Sequence, residues 1–210
     1  MFFRKITHIT FRMFDMENYE TEDEVVEFDD KQRKTLLDIA KLSIAHGLDH
    51  GEPLPFDPID YSAIMVQHRA TFVTLRFGGD LCGCIGSLEP IRPLARDVIC
   101  NAFSAAFSDP RFTPLAPSQF EMLDIHISIL KPFQPLLCSN EDDLIRKLRP
   151  GIDGLVLEDG RHRGTFLPSV WETLPDPRQF VTQLKIKAGL SSTHWSSSIR
   201  LFRYGTESIQ

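Results

Sequence analysis

Leu81-Cys82-Gly83-Cys84-Ile85-Gly86 places two of the chain's four cysteines and two glycines in a stretch that otherwise reads as a strand. Glycine weakens a strand interior, so it marks a bulge or a close approach of backbone or ligand. The run before it, Thr71 to Phe77, is β-branched and aromatic and reads as a strand too. Gly78-Gly79-Asp80 lies between the two and supplies the positive φ angles of a tight turn. Residues 71–86 are therefore expected to form a β-hairpin.

The turn length sets which way the cysteines face. Val73, Leu75 and Phe77 line one side of the first strand, and Phe72, Thr74 and Arg76 the other. A two-residue loop puts Cys82 and Cys84 on the Val73/Leu75 side. A three-residue loop puts Leu81 and Ile85 there instead, because a one-residue slip flips every side chain. The longer loop buries more apolar surface and is the expected one. It leaves both thiols on the face of Thr74 and Arg76. Free cysteine is often just a small buried apolar residue, and that reading stands beside any chemical one.

Leu-x-Gly-Cys-Ile-Gly resembles the signature of the AMMECR-type domain family, whose bacterial and archaeal members are called AmmeMemoRadiSam system protein A. Further blocks follow in the family's order: Asn101-Ala102 with Asp109 to Phe112, Pro150 to Gly154, Gly164 to Pro168 with Val170-Trp171, and Lys187 to Leu190. They cover about residues 30–205. The family commonly has Arg where this chain has Cys82. The resemblance implies two intimately packed parts with the signature near their junction, and a pocket there holding Cys84. It also implies work alongside Memo-like proteins and radical-SAM enzymes, as an accessory or substrate-handling component.

Composition bounds the remaining classes. The chain has 210 residues, 42% of them hydrophobic, including 16 phenylalanines, enough for a sizeable core. A formal net charge of −6 argues against broad nucleic-acid binding. Four cysteines without a CxxC pair do not make a disulfide framework, and a reducing, cytoplasmic setting is expected. No apolar run approaches the roughly 20 residues of a membrane span. Residues 1–28 fall outside the resemblance. Met1 to Phe14 is basic, with Phe2, Ile6, Ile9 and Met13 at helical spacing, and residues 15–30 are strongly acidic. An amphipathic surface helix is conceivable there, but a poorly ordered, solvated extension is the expected state. Residues 29–210 are expected to form the domain.

Asp29 with Gln32 reads as a capping box opening a helix that ends at Gly47 or Gly51. His46 and His50, spaced i, i+4 in that helix, are expected to cap its last carbonyls rather than bind a metal. Ser62 to Gln67 is expected as a strand. A helix from Pro93 must stop at Asp109-Pro110, and Asp109, at an unfavourable helix end, needs a partner, with Arg111 nearest. Leu123 to Leu130 alternates as a strand, with Asp124, His126 and Ser128 on one face. A short helix over 142–148 and a second hairpin over 151–167 follow. Asp176 with Pro177 starts a last long helix, whose C-terminus Lys185 and Lys187 complement, and Ile199 to Tyr204 closes as a strand. Hairpins among flanking helices indicate α+β, largely antiparallel.

No Walker loop, GxGxxG, HExxH or GxSxG occurs. Three functional readings remain. In a cysteine enzyme, Cys84 is the nucleophile, activated by a neighbour such as Arg76 or His126. In a binding module, Gly83 and Gly86 admit an anionic ligand to the backbone, with Arg76, Arg111 or Arg163 as counter-charge and Asp109 and His126 at the margin. The third is a docking module without site chemistry. No metal or cofactor is called for.

Overall fold

The computed structural model describes residues 28–210, and the expectations for residues 1–27 lie outside that range. The described chain divides into two units, one of residues 28–130 with 207–210, the other of residues 131–206.

In the first unit, the Asp29 carboxylate accepts the Gln32 N–H, and the Gln32 side chain accepts the Asp29 N–H in return. This capping box opens α1 (Asp30–His50), which ends at Gly51 with φ 76, a left-handed conformation glycine adopts freely. Residues 62–67 form turns rather than the expected strand. The carbonyls of Gln67 and Met65 instead accept the N–H groups of Leu94 and Ala95, in the first turn of α2 (Leu94–Phe107). Pro93 at the N-cap position has no side chain that could do this, so the loop backbone supplies the missing acceptors.

The sheet of this unit has the order β2-β1-β3-β8, from β1 (Thr71–Phe77), β2 (Asp80–Gly86), β3 (Leu123–Leu130) and β8 (Thr206–Ile209). Val73 and Leu75 stand opposite Ile127 and Ile125. Val73, Leu75 and Ile127 are buried in one core with Leu36 and Ile44 of α1 and Val98 and Ala102 of α2. The β8 strand lies beyond the last strand expected.

The hairpin corrects the expected turn. Gly78 (φ 59) and Gly79 (φ 88) alone form the loop, with Phe77 opposite Asp80. Two consecutive positive φ angles suit the two-residue hairpin turn that a Gly-Gly pair favours. The extra residue enters one step later as a β-bulge: Arg76 faces Leu81, Leu75 faces Gly83, and Cys82 falls between. Beyond the bulge the register matches that of the longer loop, with Cys84 opposite Thr74 and Ile85 opposite Val73. Before it the register differs. Leu81 is exposed and Cys82 packs against the core, so the two thiols do not share a face.

The second unit carries a sheet of order β4-β7-β5-β6, from β4 (Gln134–Pro135), β5 (Gly154–Asp159), β6 (His162–Phe166) and β7 (Arg200–Tyr204). The β5–β6 hairpin turns at Gly160, φ 57. With α3 (Glu141–Lys147) and α4 (Pro177–Lys187) the sheet encloses Leu155, Leu157, Phe166, Phe180 and Leu184. Trp171 stacks on Phe180 with ring centroids 3.8 Å apart, and its indole N–H donates to the Asp153 carbonyl. Lys185, in the last turn of α4 as expected, is fully buried; its ammonium donates to Glu141 (2.7 Å) and to the Ser192 carbonyl. Both sheets are antiparallel in their described pairings, and the class is α+β. Among the described residues no helix is long and apolar enough to cross a membrane.

Candidate functional site

The β2 strand has a neighbour on one side only. Its open edge at Cys84 is closed by two side chains. The Cys84 N–H donates to Asp109 Oδ2 at 2.9 Å, and Arg111 Nη2 donates to the Cys84 carbonyl at 2.8 Å. A carboxylate acceptor and a guanidinium donor thus stand where a further strand would present its C=O and N–H. Both come from the turn after α2. Asp109-Pro110 ends the helix, and Asp109 Oδ1 accepts the Arg111 N–H at 3.1 Å, folding the turn on itself. The pair is bidentate, with Arg111 Nε 2.9 Å from Oδ1 and Nη2 2.6 Å from Oδ2. The partner that Asp109 needs at its helix end is therefore Arg111.

Burial pushes the Asp109 carboxyl up, but the Arg111 side chain, the Cys84 and Arg111 N–H groups and the guanidinium charge together outweigh it and hold the carboxyl below its ordinary value. The same hydrogen bond, against the cost of burial, raises Arg111 above its own. Both groups are charged throughout the physiological range.

Around the thiol, Thr74 Oγ1 donates to Cys84 Sγ at 3.4 Å. Thr74 stands between Cys84 on β2 and His126 on β3, giving a row of three chemically active side chains across three strands. All three are half-buried. The other expected site residues are placed differently. Arg76 turns back to donate to the Gly79 carbonyl of the hairpin loop. Arg163 lies in the second unit and pairs with Glu158 at 2.9 Å. Gly83 and Gly86 each have protein packed against the position a Cβ would take. A Cβ on Gly83 would stand 2.1 Å from the Ala105 carbonyl oxygen of α2, and one on Gly86 would meet the Phe72 ring at 2.3 Å. These glycines allow close packing of helix on sheet and of ring on strand.

A second polar cluster went unforeseen. Asp97, fully buried on α2, accepts the Thr71 N–H and hydroxyl, the Asn101 amide, the Ser87 hydroxyl and Arg92 Nε. It ties the start of β1 and the residue after β2 to α2, and Asn101 lies one helical turn before Ala105, which packs over Gly83. The available signal was an Asp and an Asn four residues apart on a stripe that is otherwise apolar. Among the described residues no group of three or more His, Cys, Asp or Glu side chains is placed to hold a metal ion.

Comparison with known proteins places this architecture. The AMMECR1 family model matches residues 37–209. A protein of Methanothermobacter thermautotrophicus is 37% identical over 173 residues, covering 81% of this chain and 90% of its own. Protein MK0488 of Methanopyrus kandleri is 34% identical over 170 residues, covering 77% and 79%. The crystal structure of the uncharacterized protein PH0010 from Pyrococcus horikoshii superposes with a TM-score of 0.79 at 28% identity, over 86% of this chain and 91% of that one. The chain belongs to the AMMECR1 family.

Proposed function

We propose that this protein is a substrate-handling component that presents Cys84 as a reactive thiol, acting beside Memo-like and radical-SAM proteins. The observation that carries the reading is the clamp on Cys84. A buried carboxylate and a guanidinium hold the backbone N–H and C=O of one edge-strand residue, and its thiol accepts the Thr74 hydroxyl. The clamp satisfies the backbone of the open edge and in doing so sets the bearing of the thiol. A thiol that must meet a substrate at a set angle needs this, because reactivity falls steeply with misplacement. The place beside Memo-like and radical-SAM proteins rests on the family resemblance.

The test is mass spectrometry of what the full chain carries when purified from its host, wild type against Cys84→Ala. The expected result is a small molecule or covalent adduct that maps to the Cys84 peptide and disappears in the variant. A bound species that survives Cys84→Ala would remove the thiol from the account. It would favour the non-catalytic docking reading instead.

A further inference from the structure

The last turn of α1 carries His46 and His50, four residues apart and therefore on one side of the helix. Their ring centroids lie 4.3 Å apart, with planes inclined by 48°. The chain turns back at Gly51, and the Glu52 carbonyl oxygen comes within 3.0 Å of His46 Nδ1. A carbonyl oxygen only accepts, so Nδ1 carries a proton, and in the neutral ring the lone pair is on Nε2. An imidazole oriented through one nitrogen by a backbone carbonyl is the arrangement that prepares the other nitrogen for a metal. The contact also answers the expectation that these histidines cap the helix: His46 engages a carbonyl beyond the cap.

We infer that His46 and His50 form a two-imidazole site for a divalent transition-metal ion, with water completing the coordination shell. Metal–nitrogen bonds of roughly 2.0–2.1 Å put two adjacent donor nitrogens about 3 Å apart, and their ring centres about 4.5–5 Å apart. The observed 4.3 Å is a little closer, a gap that a small side-chain rotation closes. Imidazole selects Zn2+, Ni2+ and Cu2+ over Mg2+ and Ca2+. The site lies at the negative end of the helix dipole, beside Asp49 and Glu52, so the local field favours a cation. Among the described residues no third His, Cys, Asp or Glu side chain is grouped with the pair, which leaves the remaining coordination positions to water. It is independent of the Cys84 reading.

The experiment is calorimetric titration of the full chain with Ni2+, run in parallel on His46→Ala, His50→Ala and Cys84→Ser. One equivalent should bind to wild type and to Cys84→Ser with equal affinity, and each histidine variant should lose at least tenfold. His50 is exposed, so its removal leaves the fold intact, as a circular dichroism spectrum will verify. A readout that needs no variant is line broadening by paramagnetic Ni2+, which should be centred on the His46 and His50 ring signals. Equal affinity in the histidine variants, broadening centred elsewhere, or no saturable binding up to millimolar Ni2+ would each overturn the inference.

Discussion

Replacing Asp109 with Asn keeps the shape of the clamp and removes its charge. The carboxylate accepts four hydrogen bonds, three of them from Arg111 and one from the Cys84 N–H. Asn offers one acceptor oxygen, and its NH2 cannot accept. If the oxygen stays with Arg111, the NH2 faces the Cys84 N–H, donor against donor. A hydrogen bond to a charged group contributes about 1.5–3 kcal/mol, and removing one partner of a fully buried ion pair costs about 3–5 kcal/mol. The Arg111 side chain keeps 19% of its surface exposed, so water recovers part of the loss. The expected cost is about 3 kcal/mol. With a urea slope of about 2 kcal/mol/M, the unfolding midpoint should fall by about 1.5 M at neutral pH. The sign with pH follows from the direction of the shift. The folded Asp109 carboxyl lies below its unfolded value of about 3.9, so its contribution is complete above that pH and is lost as pH falls through the lower folded value. The gap between wild type and Asp109→Asn should therefore close in acid. A loss under about 1 kcal/mol at pH 7, or single-mutant effects of Asp109→Ala and Arg111→Ala that simply add, would refute the clamp.

Gly83→Ala forces a Cβ to 2.1 Å from a helix carbonyl, so α2 must move off the sheet; thermal unfolding should drop by several degrees, corresponding to about 1–3 kcal/mol, and an unchanged melting temperature would show the contact to be loose. The Lys185–Glu141 pair should be asymmetric. Glu141→Ala leaves a buried ammonium without its counter-charge and should cost about 3–5 kcal/mol, whereas Lys185→Met should cost under about 1.5 kcal/mol by denaturant unfolding. The Asp159 carboxyl is held at about 2 by Ser198, Ser196 and His194, so its stabilising contribution is present above about pH 4 and disappears toward pH 2; Asp159→Asn should flatten that part of the acid unfolding profile.

Much of the fold was legible because its signals are local. The Asp29–Gln32 capping box, the Asp109-Pro110 stop and the alternation of Leu123 to Leu130 each act within a few residues, and each appears where the pattern puts it. The hairpin shows the limit. Counting apolar burial favoured a three-residue loop, but Gly-Gly chemistry fixed a two-residue loop and a bulge absorbed the mismatch. The same strand packs Gly83 under α2, a contact between residues 83 and 105 that no local pattern carries. The Ser62 to Gln67 segment was misread because its role, supplying carbonyls to the start of α2, is set by tertiary position. At the site, Asp109 and Arg111 were legible as a pair, since an acid at a helix end needs a counter-charge. Their grip on the Cys84 peptide was not, because it joins a turn to a strand edge 25 residues away. The β8 strand and the Asp97 cluster were missed for the same reason.

The most direct test of the central claim is the rate at which each cysteine of the native protein reacts with iodoacetamide, read by peptide mapping and normalised to the denatured rate. Burial pushes the Cys82 and Cys138 thiols up, so both should react slowly, and Cys82, two residues away but packed on the core, is the internal control. The account predicts that native Cys84 reacts at least tenfold faster than Cys82, Cys100 or Cys138, and that Arg111→Lys lowers the Cys84 rate in protein that remains folded. A Cys84 that stays unlabelled until the chain unfolds would contradict it, and the reactive-thiol reading would then be abandoned.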